Sequence, residues 1–193
     1  MGVRLKHFKT IMTHKKWVFY CARRLGIGWQ GFWHDMSKFS PTEFNESIRF
    51  YSGTRSPIDA AKEAQGYSLA WQNHKGRNRH HYEYWQDNFD KGTTHLKMPD
   101  KYVKEMICDY LAAGKAYNGN KFTLAGEYQW WLNKRETCNA MCLDNKVVVQ
   151  TVLEHMNSRW PDKDLVDLTK ENWQEVRFIL EYALRRATPY TTI

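Results

Sequence analysis

The chain has 193 residues, which is enough for one compact domain, and its content of 42% hydrophobic and 15% aromatic residues excludes an intrinsically disordered protein. No apolar run approaches the roughly 18 residues needed to cross a bilayer, and the N-terminus lacks the apolar segment of a signal peptide, so we expect a cytoplasmic protein without a membrane partner. Lys and Arg (29) outnumber Asp and Glu (21), which favours anionic partners, either small phosphorylated molecules or nucleic acid.

The first two predicted elements are helices. Apolar and histidine side chains recur at steps of three and four residues along residues 11–25, which places them on one helical face. We expect this helix to end at Gly26 or Gly28, because glycine commonly terminates helices. A second helix is predicted over residues 29–38.

Two further helix starts are marked by a serine followed by a proline. Ser40 precedes Pro41, with Glu43 at the third helical position, and Ser56 precedes Pro57. A serine side chain can accept a hydrogen bond from a free N–H of the first turn, and a proline there has no N–H to leave unpaired. We therefore predict helices that begin at Pro41 and Pro57.

The central part of the chain alternates between helices and connections. Residues 67–74 have helical composition, residues 75–78 are predicted as a turn, and residues 80–85 as a short helix. Residues 87–94 are predicted as a loop. A Pro-Asp pair then begins a long helix over residues 99–117.

The C-terminal part is also helical, and the fold class follows from the whole pattern. Helices are predicted at about 122–136, 144–158 and 171–187. Their apolar side chains fit either a packed core or the self-association face of a homo-oligomer. No repeat and no Pro/Gly/Ser-rich linker divides the chain, so we predict a single all-α domain over residues 1–193, a compact helical bundle.

Histidines and aspartates recur along the chain in an ordered pattern. His14 lies on the apolar stripe of the first helix, and Asp109 falls in line with the apolar residues of the long helix. A carboxylate that faces a core costs free energy unless it is paired or binds a metal. Imidazole and carboxylate together suit divalent Mn, Fe, Co, Ni or Zn. In chain order the candidate ligands are His14, His34, Asp35, His74, His80 (favoured over His81) and Asp109.

This ordered set resembles the HD-domain superfamily of metal-dependent phosphohydrolases. The signature of that superfamily is a His on one helix, a His-Asp doublet on the next and a distant Asp on a later helix. Members that hold two metals have two more histidines between the doublet and the final Asp. The string His34-Asp35-Met36-Ser37-Lys38 is similar to its His-Asp-x-x-Lys segment. The resemblance covers about residues 10–117 and implies an HD-like metal-binding core there, with a C-terminal helical extension at about 120–190. It also implies one or two divalent ions on the six candidate ligands, and Asp35 and Lys38 as catalytic residues.

Basic residues surround the predicted turn at 75–78. Lys75, Arg77 and Arg79 lie within six residues of one another. The guanidinium group of arginine matches phosphate oxygens, so we predict that these three residues and the neighbouring His81 bind the substrate. The resemblance implies that Lys38 also contacts the substrate phosphate. The alternative for the three is a solvated turn.

The expected function is a metal-dependent phosphohydrolase that acts on a nucleotide, a cyclic nucleotide or another small phosphoester by means of metal-activated water. Asp35 would bridge two ions or orient the attacking water. One alternative is a di-iron oxygenase, which the resemblance implies for a few proteins with this scaffold and the same ligand pattern. Another is a non-enzymatic, basic helical module that binds nucleic acid. The sequence has no glycine-rich phosphate loop, dinucleotide fingerprint or Gly-x-Ser-x-Gly motif.

Overall fold

The computed structural model describes residues 2–187 and confirms the all-α fold class. The fold is 73% helical, and its described residues form nine α-helices and one two-stranded sheet. The α-helices are α1 (Val3–Arg24), α2 (Gly28–Trp33), α3 (Pro41–Arg49), α4 (Pro57–Gln65), α5 (Leu69–Arg77), α6 (Asp100–Asn118), α7 (Leu124–Thr137), α8 (Leu143–Arg159) and α9 (Lys170–Arg186). The strands are β1 (Gln86–Phe89) and β2 (Gly92–His95), and 3₁₀ turns lie at Met36–Phe39, Tyr82–Tyr84, Gly119–Lys121 and Leu165–Asp167.

Helices α1 and α6 form the centre of the domain. Val18 and Cys21 of α1 and Leu111 of α6 are fully buried in one hydrophobic cluster. The same cluster includes Val149 of α8 and Leu180 of α9, so the C-terminal helices pack on the core that α1 and α6 share. The predicted C-terminal helices are confirmed to within two residues at each bound that the structure describes, and residues 188–193 of the predicted domain lie outside the described part of the chain.

The two predicted Ser-Pro helix starts are found at the expected residues. Helix α3 begins at Pro41, and the Ser40 hydroxyl accepts a hydrogen bond from the Glu43 N–H at 3.4 Å. Helix α4 begins at Pro57, although the Ser56 side chain makes no capping hydrogen bond. Helix α4 therefore begins at Pro57 without a hydrogen-bonded serine cap.

The single helix predicted over residues 29–38 is wrong, because the chain breaks at the His-Asp doublet. Helix α2 ends at Trp33, and Asp35 has left-handed backbone angles, with φ at 55°. Consecutive side chains of a regular helix point about 100° apart, so an unbroken helix could not aim His34 and Asp35 at one place. The break removes that restriction, and aspartate is one of the few residues that tolerate positive φ.

The turn predicted over residues 75–78 is also wrong. Helix α5 continues to Arg77, and Gly76 lies in its last turn, where the cost of a glycine is small. The Ser68 hydroxyl caps the start of α5 by accepting from the Trp71 N–H at 3.0 Å. His74 therefore projects from a helix and not from a loop.

The connection between α5 and α6 contains the small sheet. The short helix predicted over residues 80–85 is reduced to the 3₁₀ turn Tyr82–Tyr84, and the loop predicted over residues 87–94 is an antiparallel hairpin. Gly92 allows the tight reversal, because its φ of 149° is strained for residues that carry a Cβ atom.

Replacing Gly31 with alanine is expected to destabilise the fold and displace the His-Asp doublet. A Cβ atom at residue 31 would lie 2.3 Å from the Cβ of Ala22, so α2 would have to move away from α1. We expect a loss of about 1–3 kcal/mol of unfolding free energy, measurable as a lowered Tm. Gly76→Ala is the matched control, because a Cβ there meets no atom within 4 Å. An unchanged Tm for Gly31→Ala would contradict this close helix approach.

Candidate metal centre

Two groups of side chains with the atoms to hold a metal ion meet at Asp35. We call His14, His34, Asp35 and Asp109 the first ligand group, and Asp35, His74, His80 and His81 the second ligand group. Within each group the ligand atoms all lie within 4.8 Å of one another. These residues come from five places in the chain: helices α1, α5 and α6, the break after α2, and the segment after α5. The fold therefore gathers all six predicted ligands in one place.

The two carboxylate oxygens of Asp35 face different pairs of histidines. Asp35 Oδ2 lies 3.1 Å from His34 Nε2 and 3.8 Å from His14 Nε2. Asp35 Oδ1 lies 3.4 Å from both His74 Nε2 and His80 Nε2. This is the arrangement of a carboxylate that can bridge two ligand groups.

Asp109 of α6 is the fourth member of the first ligand group. Its Oδ1 lies 3.0 Å from His14 Nε2 and 3.5 Å from His34 Nε2, and its Oδ2 lies 3.8 Å from His80 Nε2. Four histidines thus point the same ring nitrogen, Nε2, at the two aspartates. Helix α6 carries Asp109 along its partly buried face, as the sequence predicted.

Two buried glutamates hold the other ring nitrogen of three histidines. Glu105 Oε1 lies 2.9 Å from His34 Nδ1 and 3.3 Å from His80 Nδ1. Glu43 Oε2 lies 2.8 Å from His74 Nδ1. A carboxylate that accepts the Nδ1–H fixes the ring and leaves Nε2 free for a metal, which is typical of histidine ligands. Glu105, His34 and His80 also form a third cluster with ligand spacing, but we interpret Glu105 as a positioning residue because its oxygen faces both Nδ1 atoms.

The charges of the site favour a cation between the histidines and aspartates. Burial by itself would raise the pKa of Asp35, but the charges of His34 and Lys38 hold it well below its ordinary value. Burial likewise opposes the ionisation of Asp109, whose pKa is kept low by hydrogen bonds with His14 and His34. Burial lowers the pKa of His14. Burial also opposes the charge of His34, but Asp35, Asp109 and Glu105 raise its pKa well above the ordinary value, so a bound cation would have to displace this proton. Ionised carboxylates and neutral imidazoles are the forms that bind metals.

Buried polar atoms without hydrogen-bond partners lie within the second ligand group. Among the described residues, Asp35 Oδ1, His80 Nε2 and His81 Nε2 are buried and accept or donate no hydrogen bond. An unpartnered polar atom in a protein interior costs about 1–3 kcal/mol, so such atoms need a ligand or water. Their chemistry, imidazole nitrogen with carboxylate oxygen, fits a divalent transition metal.

A cavity of about 280 Å³ opens onto the two ligand groups. His14, His74, His81 and Asp109 form part of its wall. Three lysines, Lys38, Lys62 and Lys134, also line it, together with the carboxylates of Asp59 and Glu83. The aromatic side chains of its wall are Trp71, Tyr82, Tyr110, Tyr117 and Trp130. Lys38 Nζ lies 2.6 Å from Asp35 Oδ2, so this lysine stands between the ligand groups and the cavity.

A family model described as "Family of unknown function (DUF5662)" matches residues 4–159. The chain belongs to DUF5662. The matched segment contains every residue of both ligand groups and both positioning glutamates, Glu43 and Glu105. No curated protein and no solved structure matches the chain.

The predicted cluster of basic substrate-binding residues is not brought to the cavity. Lys75, Arg77 and Arg79 are absent from its described lining, and Arg77 and Arg79 are exposed. Arg79 Nη1 instead lies 3.4 Å from the Tyr102 hydroxyl. The sequence pattern predicts a turn at 75–78 among these residues. Because Lys75 and Arg77 instead lie on helix α5, the helical geometry and not a loop sets where their side chains lie.

His80 and His81 have different surroundings in the structure. Both belong to the second ligand group, with ring centroids 4.3 Å apart. His80 Nε2 faces Asp35 and its Nδ1 faces Glu105, whereas His81 lines the cavity. Burial and the neighbouring histidines His80 and His74 hold the pKa of His81 well below its ordinary value, so its ring is neutral.

Sequence reasoning missed four residues of this region. Glu105 lies four residues before Asp109, a helical spacing that places both on one face and would have identified it. The sequence pattern predicts only that Glu43 lies in the first turn of α3, whereas its side chain is buried against His74. Lys62 and Lys134 come from α4 and α7, and no local pattern marks either as a cavity residue.

Proposed function

We propose that this protein is a metal-dependent phosphohydrolase, related to the HD-domain superfamily, that hydrolyses a small phosphoester. One observation supports the proposal above others: the two oxygens of Asp35 face separate histidine pairs beside a cavity lined by three lysines. Histidine and carboxylate ligands serve Mn, Fe, Co, Ni or Zn, and lysines favour an anionic substrate. A nucleotide or cyclic nucleotide is the proposed substrate class, because the aromatic side chains of the wall offer surfaces for a base.

In this proposal His14, His34, Asp35 and Asp109 would hold one ion, and Asp35, His74 and His80 would hold a second one. A bound divalent metal supplies a water of lowered pKa and polarises the phosphoryl group. If Asp35 bound only one ion, its second oxygen would instead orient the attacking water. Glu105 and Glu43 keep the histidine rings fixed, so the ligands need no rearrangement.

Lys38 is the proposed catalytic lysine. Burial opposes its positive charge, but the carboxylates of Asp35 and Asp109 raise its pKa above the ordinary value, so it stays protonated. Its ammonium group lies at the cavity wall, where it would neutralise negative charge that develops on the phosphoryl oxygens as the P–O bond breaks. His81 is the proposed second contact for the substrate in that wall.

The test is phosphate release from a panel of nucleotides and simple phosphomonoesters by protein loaded with Mn²⁺ or Co²⁺. We expect Lys38→Met to keep its metal and to lose about 10²–10³-fold in kcat. The triple variant Lys75→Ala/Arg77→Ala/Arg79→Ala is the control, because the three residues lie outside the cavity lining, and its kcat should match that of the wild type.

Each of the two alternative functions predicts a result that a different measurement would detect. Oxygen consumption by protein loaded with ferrous iron, without phosphate release, would favour the di-iron oxygenase. Salt-sensitive binding of nucleic acid that survives Asp35→Asn but weakens in the triple variant would favour the basic binding module.

A further inference from the structure

Helix α2 carries a group of aromatic side chains that point away from the core. Trp29 is 76% exposed, and Phe32 and Trp33 are each 52% exposed. Their rings contact one another, with Trp29 stacked on Phe32 at 6.0 Å and Trp33 edge-on to Phe32 at 5.2 Å between centroids. Phe19 of α1 lies 6.2 Å from Phe32. We call these four residues the aromatic patch. Contiguous exposed apolar surface of this kind marks an interaction site.

Apolar side chains of α1 and the following 3₁₀ turn extend the exposed surface. Phe8 is 42% exposed and contacts Phe39 at 5.9 Å between ring centroids. Leu5 and Met12 lie three residues before and four residues after Phe8, on the same helical face, and both are nearly half exposed. Leu5 and Met12 thus add flexible aliphatic surface, which suits acyl chains, to the aromatic rings.

The chain segment that carries the aromatic patch has only basic charged residues. Residues 1–34 contain seven Lys and Arg residues and no Asp or Glu. Two copies of the chain that met symmetrically through this face would place like charges opposite one another, which is unfavourable. A negatively charged surface would be complementary to it.

A cationic basin lies beside the aromatic patch. It measures about 550 Å³, and its described lining residues contain four cations and no acidic side chain. The four cations are Arg23, Arg24, Lys170 and Arg177. The guanidinium carbon of Arg23 lies 5.8 Å from the centroid of the Phe19 ring, so the basin borders the patch directly. Phosphate headgroups suit such a cluster of arginines.

We propose that the aromatic patch and the cationic basin together bind the surface of a bilayer that contains anionic phospholipids. Aromatic rings with adjacent lysines and arginines favour the boundary between headgroups and acyl chains. None of the helices within residues 2–187 is long and apolar enough to span a bilayer, so the contact is with the membrane surface. The expectation of no membrane partner rested on the absence of long apolar runs, which surface binding does not require.

Flotation with vesicles tests this proposal on the full chain. We expect binding to vesicles of phosphatidylcholine with about one third phosphatidylserine, little binding to phosphatidylcholine alone, and weakening as salt is raised. The variant Trp29→Ala/Phe32→Ala should bind about tenfold more weakly or worse, and so should Lys170→Glu/Arg177→Glu. Leu143→Ala and Lys91→Glu are the matched controls, because Leu143 is 72% exposed elsewhere and Lys91 is exposed in the hairpin.

Three results would overturn the proposal. The first is absence of binding to anionic vesicles at low salt, and the second is binding that neither double variant weakens. The third is sedimentation equilibrium showing a dimer that Trp29→Ala/Phe32→Ala dissociates, because the patch would then be an interface between copies. Unchanged thermal unfolding of the variants is expected, since Trp29 and Phe32 are largely exposed.

Discussion

Protein carrying Asp35→Asn is expected to purify with less than about a tenth of the metal that the wild-type protein holds. Asp35 is the residue that both ligand groups share, and asparagine keeps one of its two oxygens but replaces the other with an NH2 group that cannot bind a cation. The substitution also removes the negative charge at the centre of four imidazoles and Lys38. Asparagine is preferred to alanine because, like aspartate, it tolerates the φ of 55° found at this residue.

Elemental analysis of protein purified without a metal-affinity tag measures this effect. Wild-type protein should contain about one or two equivalents of Mn, Fe, Co, Ni or Zn. Asp59→Asn is the matched control, because Asp59 lines the same cavity but belongs to neither ligand group. Equal metal content in Asp35→Asn and the wild type would refute the shared role of Asp35. A wild-type protein that contains no metal as purified and does not bind added Mn²⁺ or Fe²⁺ would refute both enzyme hypotheses.

The second large effect is expected from the positioning glutamates. Glu105 contacts the Nδ1 atoms of His34 and His80, one from each ligand group, whereas Glu43 contacts only His74. Glu105→Gln should therefore weaken metal binding at both sites by about 10–100-fold, and Glu43→Gln should weaken only the second. The physical reason is that an uncharged amide makes each imidazole a poorer ligand and orients it less firmly.

Competition against a chelator, followed for each bound equivalent, separates these two variants. They change side-chain charge but hardly its size, so thermal unfolding of the metal-free proteins identifies any general loss of structure. A site-selective change for Glu43→Gln cannot arise from such a general loss. If Glu43→Gln weakens both equivalents to the same extent as Glu105→Gln, the assignment of Glu105 to both ligand groups and of Glu43 to the second alone is incorrect.

Some features of the site follow from local pattern alone. His14 lies on an apolar stripe of period 3.6, and Asp109 lies in line with apolar residues of α6, so helical geometry directs both inward. Helix starts at Pro41 and Pro57 could likewise be predicted, because capping depends on neighbours within one turn. The break at Asp35 could not, since helical composition continues through residues 29–38 while the structure ends α2 at Trp33.

The amino-acid sequence by itself determined the helical class, the order of the imidazole and carboxylate side chains, and the absence of acidic residues before Asp35. Tertiary structure decided which groups meet. It turned the two oxygens of Asp35 toward different histidines, brought Glu43 and Glu105 behind those rings, and placed Lys62 and Lys134 at the cavity in place of Arg77 and Arg79. The reason is that periodicity fixes the face of a helix on which a side chain lies, whereas the partner of that face depends on long-range packing between helices distant in the sequence.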